Sequence, residues 1–177
     1  LENSASNPLA TEIKQLIARS RRQVATQVNS AITLLYWNIG KRIKQEVLKD
    51  QRAEYGKQIL SNLSKELTVA FGKGWGEQQL RHCIRCAEVF VDGEILYTLC
   101  IELSWSHIRT LMFIDEPLKR DFYIEMCKME HWSVRQLNKR IDSMLYERTA
   151  ISKKPEQTIA HDIELLRKEK QLTPEMA

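Results

Sequence analysis

Apolar residues in the first fifty positions recur at intervals of three, four and seven, which is the spacing of one helical face. The stripe consists of Ile13, Leu16, Ile17, Val24, Val28, Ile32, Leu35, Ile39, Ile43 and Val47. It predicts one helix from about residue 9 to residue 49, interrupted but not ended by Gly40. Because a small domain can hardly bury so long a stripe alone, the pattern favours contact with another chain.

Helical spacing continues through most of the remaining chain. Six further helices are predicted, at 55–71, 77–91, 95–102, 105–114, 117–130 and 134–148. Gly72 is a left-handed cap candidate, and Ser104 and Ser133 are candidates for N-caps. Helices 95–102 and 105–114 are separated by a brief turn, which is a helix-turn-helix pattern. The predicted fold class is therefore all-α, a multi-helix domain with a long N-terminal helix.

The pattern divides the chain into three segments. Residues 1–8 form a polar lead, and residues 9–150 form the helical domain. Residues 151–177 begin as a linker and continue with a weaker helical pattern. We expect this tail to be less well fixed than the domain.

Composition supports a packed helical protein. Of the 177 residues, 43% are hydrophobic, and only six are Gly and four Pro. No apolar run is long enough to span a bilayer, and no signal peptide is visible, so we expect a soluble cytoplasmic protein without membrane contact.

Cys83 and Cys86 form a C-x-x-C motif without a second ligand pair at similar spacing. We therefore interpret the cysteines as core or helix-face thiols rather than a zinc site.

Positive charge is concentrated near the N-terminus. The net charge is +4, and residues 9–52 alone contain nine basic and three acidic residues. One interpretation is a solvated helix face beside an apolar stripe. The other is an arm that contacts nucleic-acid phosphates, which adds affinity without sequence information.

Two further groups are candidates for nucleic-acid contact. Lys73, Arg81 and Arg85 surround the start of the third helix, together with His82. Side chains that can reach base edges or phosphates follow on the predicted recognition helix. The candidate residues there are Ser106, His107, Arg109 and Thr110, and on the late helix Arg135 and Lys139, with Arg140 beside them.

No catalytic motif occurs in the sequence. A metal-dependent nuclease of the PD-(D/E)xK type needs clustered carboxylates to hold Mg²⁺, and the chain contains no Pro-Asp dipeptide. Its E-x-K match, Glu12-Ile13-Lys14, lies on a predicted helix without a partner. We therefore predict no catalytic residue, no metal site and no cofactor, and classify the chain as not an enzyme in itself.

Several short segments form an ordered set along the chain: Tyr55-Gly56-Lys57, 63–67, Phe71-Gly72-Lys73-Gly74-Trp75, Leu80-Arg81, 103–107, 132–137 and 145–148. Taken together, this set resembles the N-terminal region of the YhcG-like family of proposed nucleases. The resemblance covers about residues 13 to 150. It implies a winged-helix-like N-terminal domain joined in cis to a C-terminal PD-(D/E)xK nuclease domain that is absent from this sequence.

Together, these observations predict a DNA-binding and assembly module that positions a separate nuclease domain on duplex or branched DNA. A homo-oligomer formed through the long helix is expected with it. The alternative is a protein-interaction or dimerisation domain without nucleic-acid contact. Clustered basic residues favour the first reading, and the long apolar stripe favours the second.

Overall fold

A computed structural model describes residues 8–49, 53–151 and 163–164. Eight helices of at least seven residues follow one another in these ranges. They are α1 (Pro8–Lys49), α2 (Ala53–Phe71), α3 (Glu77–Val89), α4 (Gly93–Glu102), α5 (Trp105–Leu111), α6 (Pro117–Glu130), α7 (Val134–Asp142) and α8 (Leu145–Ile151). A 3₁₀ turn at Lys73–Trp75 separates α2 from α3. The all-α prediction is confirmed; the described ranges contain no strand, so the winged part of the expectation is not confirmed.

The second half of α1 is built into the domain, where it packs on α3 and α4. Gly40 makes the approach to α3 possible, because a Cβ there would lie 1.9 Å from the carbonyl oxygen of Cys83. The indole N–H of Trp37 donates to the carbonyl of Phe90 over 2.6 Å. Backbone contact and a buried hydrogen bond thus fix this half of the helix in position.

Asn29 marks the point where α1 enters the domain. Its amide nitrogen donates to the carbonyls of Cys100 at 3.0 Å and Leu103 at 2.9 Å, and its oxygen accepts from the N–H of Trp105 at 3.0 Å. These backbone groups lie at the end of α4 and the start of α5, where helices leave groups without internal partners. One side chain from α1 therefore holds the turn of the helix-turn-helix element.

The face of α1 that enters the core is not the predicted apolar stripe. Ser30, Thr33 and Gly40 are buried, whereas Val28 and Leu35 are about half exposed. Small residues occupy the buried face because they allow the helices to approach closely. The predicted stripe joins the domain only near its end, where Ile43 is buried. The helix prediction is confirmed at 8–49, and the residues of the predicted stripe from Ile13 to Leu35 are between 40% and 63% exposed.

Helical spacing predicts Leu80, Ile84, Ala87 and Val91 as the inner face of α3, and the structure differs from this prediction. Leu80 is fully buried as expected, but Cys83 and Cys86 accompany it, while Val91 lies beyond the helix and is 78% exposed. The thiols fill the space that the close approach of α1 leaves too narrow for branched side chains. The interpretation of the cysteines as core thiols is confirmed, since Cys100 and Cys127 are buried as well.

The main core lies between α3 and α8. Its fully buried members include Leu96, Ile108, Leu111, Tyr123 and Leu137. The hydroxyl of Tyr123 accepts from the N–H of Tyr146 and donates to the carbonyl of Arg140, both at 3.3 Å, and so links α6 to α7 and α8. A smaller apolar cluster of Ile43, Leu60 and Leu80 joins α1, α2 and α3.

Helix boundaries follow local capping chemistry. Ser104 and Ser133 cap α5 and α7 as predicted, each in a capping box, and Gly72 has the positive φ (92°) expected after α2. The helix predicted at 134–148 is instead broken after Asp142, because Met144 has a φ of 54°. The N-cap of α6 is Glu116, while Asp115, the predicted cap, pairs with Arg85.

Most of the predicted tail lies outside the described residues. Ile163, which is described, is buried in the main core. Within the described ranges, no helix combines the length and apolarity that crossing a membrane would require.

Candidate nucleic-acid interface

A shallow pocket of about 260 Å³ lies where the loop before α3 meets α5. Lys73 reaches it from the 3₁₀ turn, Gln79 and His82 from α3, and Arg109 from α5. Lys73 and Arg109 are exposed, and neither forms an ion pair with the part of the chain that the structure describes. Two unpaired cations far apart in sequence thus share one concave surface with polar neighbours.

His82 lies at the centre of this basic pocket, with its ring edge-on to Phe113 at 5.8 Å between centroids. Partial burial, and secondarily the charge of Arg109, lower the pKa of His82 below its ordinary value of 6.5. The imidazole is therefore mainly neutral at pH 7 and gains a positive charge only in more acidic solution.

Arg81 and Arg85 lie on α3 near the pocket but are paired with acidic groups. Arg81 contacts Glu77 at 2.9 Å, and both side chains are largely exposed. Arg85 donates to the carbonyl of Met112 at 3.1 Å and to the carboxylate of Asp115 at 2.5 Å. An exposed i,i+4 pair is weak and exchangeable, whereas Arg85 helps to join α3 to the end of α5.

Three of the predicted recognition residues make bonds within the fold. The Nδ1 atom of His107 accepts from the N–H of Ser104 at 3.2 Å, which leaves Nε2 to donate to the carbonyl of Trp132 at 2.9 Å. Thr110 donates to the carbonyl of Ser106 at 3.2 Å. The short helix α5 thus turns His107 inward as a capping residue and presents Arg109 outward.

A second group of cations lies on α7 and α8. Arg135 and Lys139 are exposed, as predicted for this surface. Lys139 lines a pocket of about 380 Å³ with Gln136, Arg140, Ser143 and Arg148. The helix α5 contacts both α3, which lines the first pocket, and α7, which lines the second.

Sequence reasoning did not place Arg148 in this second pocket. The break at Met144 turns α8 back, so that the guanidinium of Arg148 donates to the hydroxyl of Ser143 at 3.3 Å. Arg140 lies over the ring of Trp132, 5.4 Å from its centroid. In a continuous helix, Arg148 would lie more than a turn beyond Lys139. The cluster of Lys139, Arg140 and Arg148 could therefore be predicted only if the helix break at Met144 were predicted first.

The remaining basic candidates lie on the first part of α1. Lys14, Arg19, Arg21 and Arg22 are all exposed. They belong to the part of the helix before Asn29, which is separate from the two pockets. The structure therefore divides the positive charge among three places.

The chemistry of the cysteines is that of buried thiols. Burial raises the pKa of Cys83, Cys86 and Cys127 to about 12 in each case. They are protonated near neutral pH and are neither good nucleophiles nor preformed metal ligands. Within the described residues, His, Cys, Asp and Glu form no group of three or more that could hold a metal ion.

An all-helical domain with exposed basic pockets beside a helix-turn-helix element is the class of protein that these features define. The family described as the DUF1016 N-terminal domain matches residues 12–148, and the chain belongs to that family. It is also 29% identical over 170 residues to a protein of Escherichia coli (strain K12) described as "Putative nuclease YhcG". Both findings confirm the resemblance noted in the sequence.

The alignment with the Escherichia coli protein covers 79% of this chain and 45% of that protein. The chain thus spans less than half the length of this relative. No solved structure matches the chain.

Proposed function

We propose that this domain binds DNA through its two basic pockets and positions a nuclease domain of the same protein. The observation that carries the proposal is the meeting of Lys73, His82 and Arg109 in one open pocket. Cations gathered on a concave surface can contact neighbouring phosphates together and release their counterions. Arg135 and Lys139 extend the contact on the other side of α5.

The proposal gives different roles to the nine predicted contact residues. Lys73, Arg109, Arg135 and Lys139 contact phosphates directly. Arg81 also contacts a phosphate, after it releases the exposed ion pair with Glu77. Ser106 lies at the edge of the contact. Arg85, His107 and Thr110 support the surface through the bonds described above. Such contacts fix position on a duplex rather than read sequence.

Fluorescence anisotropy with a labelled duplex tests this proposal. Parent affinity should fall about 100- to 500-fold between roughly 50 and 200 mM salt, as expected for four or five phosphate contacts. The Lys73→Ala/Arg109→Ala variant should bind about tenfold more weakly, with a salt slope reduced by about 2. Lys57→Ala/Lys65→Ala on α2 removes the same charge elsewhere and should change little. Equal losses in both variants, or binding indifferent to salt, would contradict the assigned surface.

The pH dependence of binding tests the pocket more locally. Because the pKa of His82 is lowered, its positive charge appears only below about pH 6.5. Parent affinity should therefore rise several-fold between pH 7.5 and 5.5 at constant salt. His82→Gln should lose most of this rise and keep its affinity at pH 7.5. An identical rise in His82→Gln would place the titrating group elsewhere.

The nuclease part of the proposal rests on the similarity to the Escherichia coli protein. We propose that catalysis belongs to a region outside this segment and that the segment itself does not cleave. Incubation of the segment with plasmid DNA and Mg²⁺ should leave the plasmid intact. Nicking that survives further purification and disappears with EDTA would reverse this assignment.

A second candidate function is self-association, favoured by the exposed apolar side chains of α1 before Asn29. Both functions are compatible, because dimeric binders present two DNA-contacting surfaces at a fixed separation.

A further inference from the structure

An apolar groove of about 590 Å³ runs between α1 and α2. Leu35, Ile39 and Ile43 form one wall, and Leu63, Leu67, Phe71 and Trp75 form the other. Phe71 is 72% exposed and Leu35 is 48% exposed. Among residues 8–49, 53–151 and 163–164, none closes this groove, so its apolar walls lack the cover that such surfaces usually have.

The groove continues into an exposed apolar stripe on the same helix. Its members, Leu9, Ile13, Leu16, Ile17, Val24, Val28 and Ile32, are between 40% and 63% exposed. At 100° per residue, five of them (Ile13, Ile17, Val24, Val28 and Ile32) lie within about 60° of the groove residue Leu35, and Leu9 and Leu16 lie at the edge of this side. The side is covered by α2 only where that helix runs alongside, since α2 has 19 residues and α1 has 42.

The stripe cannot fold back into the groove of its own chain, because α1 is one continuous helix from Pro8 to Lys49. We propose that a second copy of this chain covers the stripe and the mouth of the groove, with the two α1 helices antiparallel. Leu9, near the start of each α1, then lies at the mouth of the groove of the other copy. This inference deepens the self-association candidate above and does not depend on DNA contact.

Side-chain spacing supports the antiparallel register. Ile13 and Ile17 are four residues apart, and so are Val28 and Ile32. An antiparallel pair can therefore place Ile13 opposite the second copy's Ile32 and Ile17 opposite the second copy's Val28. The same register brings Leu9 to the second copy's Leu35, at the mouth of the groove. The same patch of α1 on both copies then forms the contact, as a closed two-fold dimer requires.

The available area is sufficient for a specific interface. Residues 9–35 form a stripe about 40 Å long on a helix about 10 Å across, and an apolar arc of roughly 40% of the circumference gives about 500 Å² per copy. Two copies contribute about 1,000 Å², the size at which specific interfaces begin. The grooves add further apolar surface.

Charge gives the dimer a distinctive salt response. The first part of α1 carries Lys14, Arg19, Arg21 and Arg22 against a single acidic residue, Glu12. Antiparallel pairing brings two such positive segments together, so salt should screen repulsion and strengthen the dimer. DNA binding should weaken under the same change, so the two proposals predict opposite salt responses.

Sedimentation equilibrium of the chain without DNA tests the proposal. We expect a monomer–dimer equilibrium that moves toward dimer between roughly 50 and 500 mM NaCl. Leu9→Glu in the stripe and Phe71→Lys in the groove should each raise the dissociation constant at least about tenfold, and the combined variant should recover part of the loss because the two new charges face each other. Val69→Glu, at a site on α2 that is 90% exposed and outside the groove, is the matched control and should change nothing.

Cross-linking distinguishes the antiparallel arrangement from a parallel one. A mixture of Leu9→Cys and Phe71→Cys chains should form a disulfide-linked heterodimer under mild oxidation, while Leu9→Cys alone should not. A link formed by Leu9→Cys alone would overturn the register. A monomer at all concentrations up to about 200 μM, or a dimer insensitive to Phe71→Lys, would overturn the proposal while leaving DNA binding untouched.

Discussion

From Asn29 to Val47, α1 packs against α3 and α4, and its side chains bond to the backbone of the chain around it. From Leu9 to Val28, the apolar side chains of the same helix are between 46% and 63% exposed. The embedded half contains Ser30, Thr33 and Gly40 on its buried face. The projecting half, residues 8–28, contains six large apolar residues, and each of them is at least 46% exposed. A substantial apolar stripe thus lies on the half of the helix that projects.

The difference shows that hydrophobicity and burial are separate properties of this helix. Small residues in the embedded half allow backbones to touch, and one amide, that of Asn29, satisfies three backbone groups of α4 and α5. Apolar residues in the projecting half are not covered by the part of the chain that the structure describes. One half therefore serves the fold, and we propose that the other serves assembly.

The strongest test of the embedded half is Gly40→Ala. The new Cβ would lie 1.9 Å from a backbone oxygen, so α1 and α3 must separate, and helix propensity offsets only about 1 kcal/mol of the cost. We expect the free energy of unfolding in urea to fall by at least about 3 kcal/mol. Gly74→Ala, where a Cβ meets nothing within 4 Å, is the control. Equal stability of the two variants would show that the helices do not touch at Gly40.

Hydrogen exchange compares the two halves within one molecule. Amides in 30–47 should exchange at least about 100-fold more slowly than amides in 9–27, because opening the embedded half disrupts the core. Mass spectrometry of dilute protein measures this ratio. At concentrations that favour the dimer the ratio should shrink, and an unchanged ratio would count against pairing of the projecting halves.

Asn29→Ala tests the boundary between the halves. It removes three hydrogen bonds, to the carbonyls of Cys100 and Leu103 and from the N–H of Trp105, while the Cys100 carbonyl keeps the bond that it accepts from the hydroxyl of Ser30 at 3.3 Å. Partial access of water limits the cost, which we expect to be about 2 kcal/mol in urea unfolding. Gln27→Ala, two residues earlier on the exposed surface, should cost less than about 0.5 kcal/mol. A similar cost for both variants would move the boundary toward the N-terminus.

The smallest expected effect belongs to Leu16→Gln. Leu16 is 63% exposed, so the unfolding free energy of the dilute monomer should change by less than about 0.5 kcal/mol. A loss of more than about 1 kcal/mol under monomeric conditions would mean that the projecting half is packed against its own chain.

Some candidate-site residues were predictable and others were not. Lys73 and Arg109 were identified as basic residues near a loop and on a short helix, but their meeting depends on α5 packing beside α3. In the sequence, His107 is as good a candidate for nucleic-acid contact as Arg109. Both ring nitrogens of His107 are nevertheless occupied by hydrogen bonds to Ser104 and to the carbonyl of Trp132. The third residue of a capped helix faces the N-cap of that helix.

The sequence by itself determined the helices, since spacing, caps and glycines act locally and within a few residues of each other. It also determined family membership and the presence of an apolar stripe too long for one small domain. Tertiary structure alone decided which face of α1 and of α3 is buried, because Gly40 and Cys83 are distant in sequence and their contact favours small side chains over apolar ones. It likewise decided which cations share a pocket, since that depends on how separate helices pack.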